Sequence, residues 1–421
     1  MIGAFFLLLL PVFLTDPAPR FAEPAVEAQP DAAAALLSRF RAMVSREMDE
    51  APRYSCLATI DRSIRQSTNN KPLVHDRMRI RMAFLGSGEA YAWPDSPKFE
   101  KGTLALLARG DAGSSNGLSG WGRIAAGLPE PSFSSAGECT LSGRHGRRYD
   151  VHVPWSASTY SATLGTRQLV LPYLARFCVD PSNAELIGLE VQAEQIKAPF
   201  TAISETTVYA GTTIGTTQWV APQSRELSIL DQTGSLLRAS TSLSDCKPYA
   251  EATPAESAAA AAQAAARGLP EKLTLDVKLA TPISFERSAV GDAVTARLQR
   301  PIRADGIDVP KGTLINGRIG RLEEQFMPER HFVVGLDFNS IAVGGTEVRF
   351  HARLAGPALN YDRRPDAMLR QDPLMAPVWD SHGLEIDDTD PTARLGVFRV
   401  RASKLNIAPG LHMIWETLPL K

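Results

Sequence analysis

Residues 291–322 read GDAVTARLQRPIRADGIDVPKGTLINGRIGRL, and residues 331–354 read HFVVGLDFNSIAVGGTEVRFHARL. Val294, Ala296 and Leu298 alternate with Thr295, Arg297 and Gln299. After Pro310-Lys311-Gly312, the residues Thr313, Ile315, Gly317 and Ile319 alternate with Leu314, Asn316 and Arg318. Phe332, Val334, Leu336 and Phe338 keep the same period. Beyond Gly344-Gly345, Val348, Phe350, Ala352 and Leu354 alternate with Glu347, Arg349, His351 and Arg353. Neighbouring side chains of a strand point to opposite faces, so a period of two marks strands with one apolar and one wet face. Punctuation by Gly and Pro turns makes them antiparallel. The expectation for 272–421 is a small antiparallel β-barrel or sandwich, interrupted by an irregular Pro- and Asp-rich insertion over 356–394.

Working towards the N-terminus, the Ala-rich stretch 250–271 has almost no apolar side chain larger than alanine and reads as a linker. Before it, strand patterns follow one another from RYSCLATIDRSI (53–64) and DRMRIRMAF (76–84) to the run that ends at Cys246. In the second of these, Met78, Ile80, Met82 and Phe84 alternate with Arg77, Arg79 and Arg81. Between 31 and 50, Leu36, Leu37, Phe40, Met43, Val44 and Glu47/Met48 instead mark a helical stripe, with Asp31 placed to cap the helix and Ala51-Pro52 to end it. The fold class expected is mainly β: a curved antiparallel sheet with an N-terminal helix over 29–249, followed by the smaller β domain.

The chain has 421 residues, enough for two domains, and its 45 Lys and Arg balance 46 Asp and Glu. That balance argues against nucleic acid as a partner. Residues 1–28 read as a secretory signal peptide. The apolar run Phe5–Leu14 is about half the ~20 residues that span a bilayer, and Val26-Glu27-Ala28 supplies a small-residue cleavage pattern. A retained N-terminal anchor is the alternative. No later segment is long and apolar enough to cross a membrane, so no transmembrane span is expected in the mature chain. The four cysteines Cys56, Cys139, Cys178 and Cys246 are scattered, unlike zinc ligands. In an exported chain an even count reads as disulfides, and three connectivities are open. Cys56–Cys246 with Cys139–Cys178 is the expected set, against an alternative of four buried thiols.

An apolar leader, an amphipathic helix and a long antiparallel meander resemble the lipoprotein-carrier half-barrel (LolA/LolB- and LppX-like) over about residues 29–249. The YSCLATI first strand and a cysteine near the last one are also similar to exported proteins of soil bacteria with no assigned function. The carrier resemblance implies an acyl chain or other apolar ligand held between the sheet and its helix. VPKGTLINGRI (309–319) resembles the barrel domain of the conjugative type IV secretion outer-membrane core component, in which a similar turn opens a strand. This sequence shows none of that family's membrane-inserting helices, which argues against a pore.

Motifs for chemistry are sparse. Gly117-Leu118-Ser119-Gly120-Trp121 lacks the closing glycine of a nucleophile elbow and reads as a surface turn. The seven histidines form no metal-binding spacing. Glu385, Asp387, Asp388 and Asp390 cluster, but not as a calcium-binding EF-hand loop, and read as a solvated acidic loop. Arg77, Arg79 and Arg81 project from one face, as either an anion-binding surface or a charged edge; the edge is the reading adopted. Trp93, Trp121, Trp155 and Trp219 would suit an apolar ligand if one face carried them all, with core packing the default.

The sequence names no catalytic residue, cofactor or metal ligand. The chain is expected to be a non-enzymatic exported protein of the periplasm or cell envelope. The expected site is an apolar or lipid-like ligand held between Leu36, Phe40 and Val44 on the helix and Met78, Ile80, Met82 and Phe84 on the strand. The alternative is a structural component that binds an envelope protein partner through the C-terminal domain.

Overall fold

The computed structural model describes residues 30–50, 52–85, 88–96, 99–101, 112–114, 125, 127–129, 132–164, 167–249, 268–304, 306–343, 346–357, 384–386 and 395–420. The chain is mainly β, with one long helix and a large antiparallel sheet. Helix α1 (Pro30–Glu50) buries Ala33, Leu36, Leu37, Phe40 and Val44, the three- and four-residue spacing of a single stripe. It begins at Pro30. Asp31, read as the cap, therefore falls within the helix bounds. The chain leaves the helix just before Pro52, as the steric demand of proline requires.

The first sheet is built from β1 (Tyr54–Gln66), β2 (Lys71–Phe84), β3 (Glu89–Ala92), β4 (Phe133–Leu141), β5 (Arg144–Val153) and β6 (Tyr173–Val179). It continues with β7 (Leu186–Ala193), β8 (Phe200–Ile214), β9 (Thr217–Asp231) and β10 (Ser235–Pro248). The hydrogen-bonded order is β3–β2–β1–β10–β9–β8–β7–β6–β5–β4, antiparallel throughout. Register shifts interrupt the β1–β10, β8–β9 and β6–β7 ladders among others, and each such bulge adds bend and twist. β9 runs unbroken through Pro222. Pro222 sits at the β8–β9 register shift opposite Tyr209, so its missing N–H breaks no regular ladder.

The inner face of this sheet carries α1. Phe40 meets Phe177 at 5.8 Å between ring centroids, and the Tyr149 hydroxyl donates to the Ala33 carbonyl at 2.7 Å. On the outer face, Cys139 and Cys178 form a disulfide that packs with Leu141 and Ile187. Gly146 makes room for it, since a Cβ there would lie 2.9 Å from the Cys178 Sγ. The second disulfide, Cys56–Cys246, sits at the β1–β10 bulge and closes a separation of 190 residues. Both expected pairs are therefore present, and the buried-thiol alternative fails.

A second core lies beyond residue 268. Its strands are β11 (Thr274–Leu279), β12 (Ala293–Leu298), β13 (Leu314–Gln325), β14 (His331–Val343), β15 (Thr346–Arg349), β16 (His351–Pro357), β17 (Gly396–Val400) and β18 (His412–Leu418). Pairing runs β17–β14–β13–β12–β11–β18–β16, with β15 also on β14. β15 and β16 follow each other through the buried Phe350, and the ladder breaks there. The strands wrap the core of Trp415, Phe338 and Phe350 without one continuous closed barrel. Leu384–Ile386, inside the expected irregular insertion, is a short strand paired with β17, so Glu385 lies on a strand rather than in a loop. Asp387, Asp388 and Asp390, and the Ala-rich stretch 250–267, lie outside the described residues.

The two cores meet along β2. Val74–Asp76 pair with β13, Met78 bridges Val290, and Arg81–Phe84 pair with β3. Val290 packs against the apolar clusters on both sides. Gly291, at φ +100°, brings its backbone so close that a Cβ would lie 2.2 Å from the Arg79 carbonyl oxygen.

Candidate ligand-binding groove

The expected site residues divide between two clusters. Leu36, Phe40 and Val44 pack with Tyr149, Phe177, Ile203, Leu227 and Ile229. Met78, Ile80, Met82 and Phe84 pack with Tyr54, Cys56, Ala58, Ile60 and Tyr91. The register puts both sets on the inner face: Ile80 lies opposite Ala58, Ala58 opposite Leu243, and Leu227 opposite Ala239. The helix set and the β2 set therefore belong to separate packing clusters among the described residues. Alternation tells which face a side chain takes; it does not tell which strand the helix lies over.

Between the clusters runs a buried polar band. Arg225 and Glu205 form an ion pair at 2.6 Å, with Glu205 only 1% exposed. Thr207 and Thr241 are buried beside them in the register, each opposite Arg225. Burial alone would lower the Arg225 pKa, but the Glu205 carboxylate overrides it and drives it up. Burial, reinforced by Glu89, raises the hydroxyls of Tyr54 and Tyr91, and burial with Glu205 raises that of Tyr209. Tyr91 donates to Glu89 at 2.5 Å. Arg225 and these three tyrosines keep their protons at neutral pH, which suits a fixed polar divider rather than proton transfer. The sequence did carry the signal: Ile203, Glu205 and Thr207 share one strand phase, as do Arg225, Leu227 and Ile229.

A groove opens on the flank of α1. It is about 830 Å³ and is lined by Arg39, Ala42, Met43, Arg46 and Glu47 of the helix, by the turn at Asn183–Glu185, and by Gly211, Gln218, Trp219 and Val220 of the β8–β9 hairpin. The turn is a stiff wall. Asp180 accepts from the Ser182 hydroxyl at 2.6 Å and its backbone N–H at 2.9 Å, and these bonds, the hydroxyl first, hold its pKa below the usual carboxylate range. Arg144 bridges Asp180 at 3.4 Å and Glu185 at 3.6 Å, and Arg39 donates to the Pro181 carbonyl at 3.0 Å. Ala42, Met43, Trp219 and Val220 give the groove an apolar wall, and the buried Trp219 indole N–H has no acceptor among the described residues. Glu47 is half-buried, and desolvation, with repulsion from Glu185, pushes its carboxyl up to about 7 against the pull of the Val220 backbone and Arg46.

The other candidates resolve as structure. Arg77 pairs with Asp61 at 2.8 Å and reaches the Glu286 carbonyl at 2.7 Å. Arg79 pairs with Asp292 at 2.5 Å, and Arg81 with Asp245 at 2.8 Å. This row is engaged by carboxylates, and two of its members tie β2 to the 286–292 turn, which answers the anion-surface reading. Trp93 lies under the Arg318 guanidinium, Trp155 is exposed, and Trp219 lines the groove, so the tryptophans share no single face; Trp121 lies outside the described residues. His412 contacts the buried Asp276, which Arg300 also approaches at 3.0 Å. Among the described residues, no serine, threonine or cysteine hydrogen-bonds that imidazole, and no group of three His, Cys, Asp or Glu could hold a metal ion. The turn at Gly117–Trp121 lies outside the described residues. The large exposed apolar side chains Met48, Trp155, Val170, Leu314, Met327 and Leu420 belong to separate segments. No described helix is long and apolar enough to cross a membrane.

No protein-family model matches this sequence, and no curated protein does. Among solved structures, a DUF1329 family protein from Desulfovibrio piger aligns with 53% of this chain and 95% of its own, at 10% identity and a TM-score of 0.27. A putative outer membrane lipoprotein-sorting protein domain from Vibrio parahaemolyticus aligns with 52% of this chain and 94% of its own, at 8% identity and a TM-score of 0.27. Similarity at this level assigns neither a family nor a function to the chain.

Proposed function

We propose that this chain is a non-enzymatic exported protein of the cell envelope that binds an amphipathic, lipid-like molecule in the groove between α1 and the β8–β9 hairpin. The observation that carries this reading is the groove itself. Its volume of about 830 Å³ falls in the range of small-molecule sites, and its lining combines apolar with charged side chains. Ala42, Met43, Trp219 and Val220 offer apolar contact to a chain, while Arg39, Arg46, Glu47 and Glu185 meet a polar end. The two disulfides support an oxidising compartment and hence export. The groove replaces the site expected between Leu36, Phe40, Val44 and the β2 face. Those helix residues are already buried in packing, whereas the next flank of the same helix still meets open space.

Trp219 provides the readout. Adding a single-chain amphiphile below its micelle concentration is expected to shift tryptophan emission to the blue, and Trp219→Phe is expected to abolish that shift. Native mass spectrometry of the same samples should show a one-to-one adduct. Protein that takes up no amphiphile of any head-group charge would rule the reading out.

A further inference from the structure

Resting on that reading, we propose that the groove selects a zwitterionic head group, one bearing a phosphate and a quaternary or primary ammonium, as a phospholipid does. Charge complementarity within one cavity favours such a head group. Arg39 and Arg46 line it with two cations, and Glu47 and Glu185 line it with two anions. A purely anionic head would meet Glu47 and Glu185 as well as the arginines, and a purely cationic head would meet the arginines as well as the carboxylates. A head carrying both signs satisfies both pairs at once.

The placement of the carboxylates strengthens this. Glu47 and Glu185 repel each other across the groove, from the helix and from the turn at 180–185. Arg144 already reaches Glu185 at 3.6 Å, so an ammonium between the two carboxylates adds its attraction chiefly at Glu47. Trp219 lines the same cavity, and an indole face attracts an alkylammonium. Arg39 is steered by its bond to the Pro181 carbonyl, which sets its guanidinium at the turn side of the groove. Planar guanidinium groups are the usual partners of phosphate oxygens. Desolvation of Glu47 supports the same conclusion, because a carboxyl held near neutrality gains its charge when a cation arrives.

The test compares three amphiphiles with the same dodecyl tail: dodecylphosphocholine, dodecanoate and dodecyltrimethylammonium, each below its micelle concentration, by titration calorimetry. At about pH 8 the zwitterion is expected to bind about tenfold more tightly than either singly charged amphiphile, because each of those lacks one screened ion pair and sets its charge against the like-charged pair lining the groove. Glu47→Gln should shift preference towards dodecanoate, and Arg46→Gln towards dodecyltrimethylammonium. Arg46 is exposed, so Arg46→Gln should retain the wild-type melting curve, and Glu47→Gln, in which glutamine matches glutamate in shape, should melt no lower than the wild type at this pH; both curves are recorded alongside. If all three amphiphiles bind within about threefold of one another, head-group selection is overturned while lipid binding stands. Tightest binding of dodecanoate or of dodecyltrimethylammonium overturns it likewise. If none binds, both this inference and the proposed function fall.

Discussion

Glu47 is the residue whose chemistry depends most on where the fold puts it. On an exposed helix it would be an ordinary carboxylate. Here half-burial and Glu185 raise it to about 7, while Arg46, the Val220 backbone and the uncharged Gln218 and Trp219 complete its surroundings. A raised acid makes the folded state bind more protons than the unfolded one. Its contribution to stability is therefore full in acid and is lost as pH climbs through about 7. Glu47→Gln is expected to match the wild type near pH ~4 and to melt about 2 °C higher near pH ~8.5. Equal melting temperatures at both pH values would show that Glu47 is not desolvated. Arg225 is the opposite case: its ion pair with Glu205 outweighs burial and drives its pKa up, so the guanidinium stays charged near neutrality.

At the scale of elements, the two disulfides do different work. Cys56–Cys246 ties the first long strand to the last one of its sheet across 190 residues, whereas Cys139–Cys178 spans 39 residues and clamps the outer face. Loop-closure entropy gives about 5 kcal/mol for the longer loop and about 4 kcal/mol for the shorter. Replacing Cys56 and Cys246 by serine should therefore lower the denaturant midpoint more than replacing Cys139 and Cys178, as read by urea unfolding under oxidising conditions. The reverse order would mean that strain or residual structure outweighs chain entropy. The α1 stripe, the β2 alternation and the strand pattern of both cores were legible in the sequence because each depends on residues close together in the chain. The continuity of β9 through Pro222 was not legible, because it rests on a bulge that only the partner strand β8 reveals.

At the scale of the whole molecule, β2 joins the two cores. Its free edge is divided among β13, the Val290 bridge and β3, and Arg77 and Arg79 reach into the 286–292 turn. Gly291 is the tightest point of this seam. Gly291→Ala adds a Cβ where φ is positive and a carbonyl oxygen is in the way, and should cost more than about 2 kcal/mol. Calorimetry is expected to show one cooperative transition in the wild type and two in the variant. A single transition in both would mean that the cores are coupled elsewhere.

The amino-acid order alone determined the strand-rich class, the buried stripe of the helix, the inward phase of β2 and the set of cysteines available for pairing. Those properties follow from period and composition, which are local. Tertiary structure decided that α1 lies over β5–β9 rather than over β2, and that the arginine row braces a second core. It also decided that a polar band divides the inner face and that the groove opens beside the buried stripe instead of beneath it. Each of these turns on which strand meets which across tens or hundreds of residues, and alternation is the same whichever neighbour a strand finds.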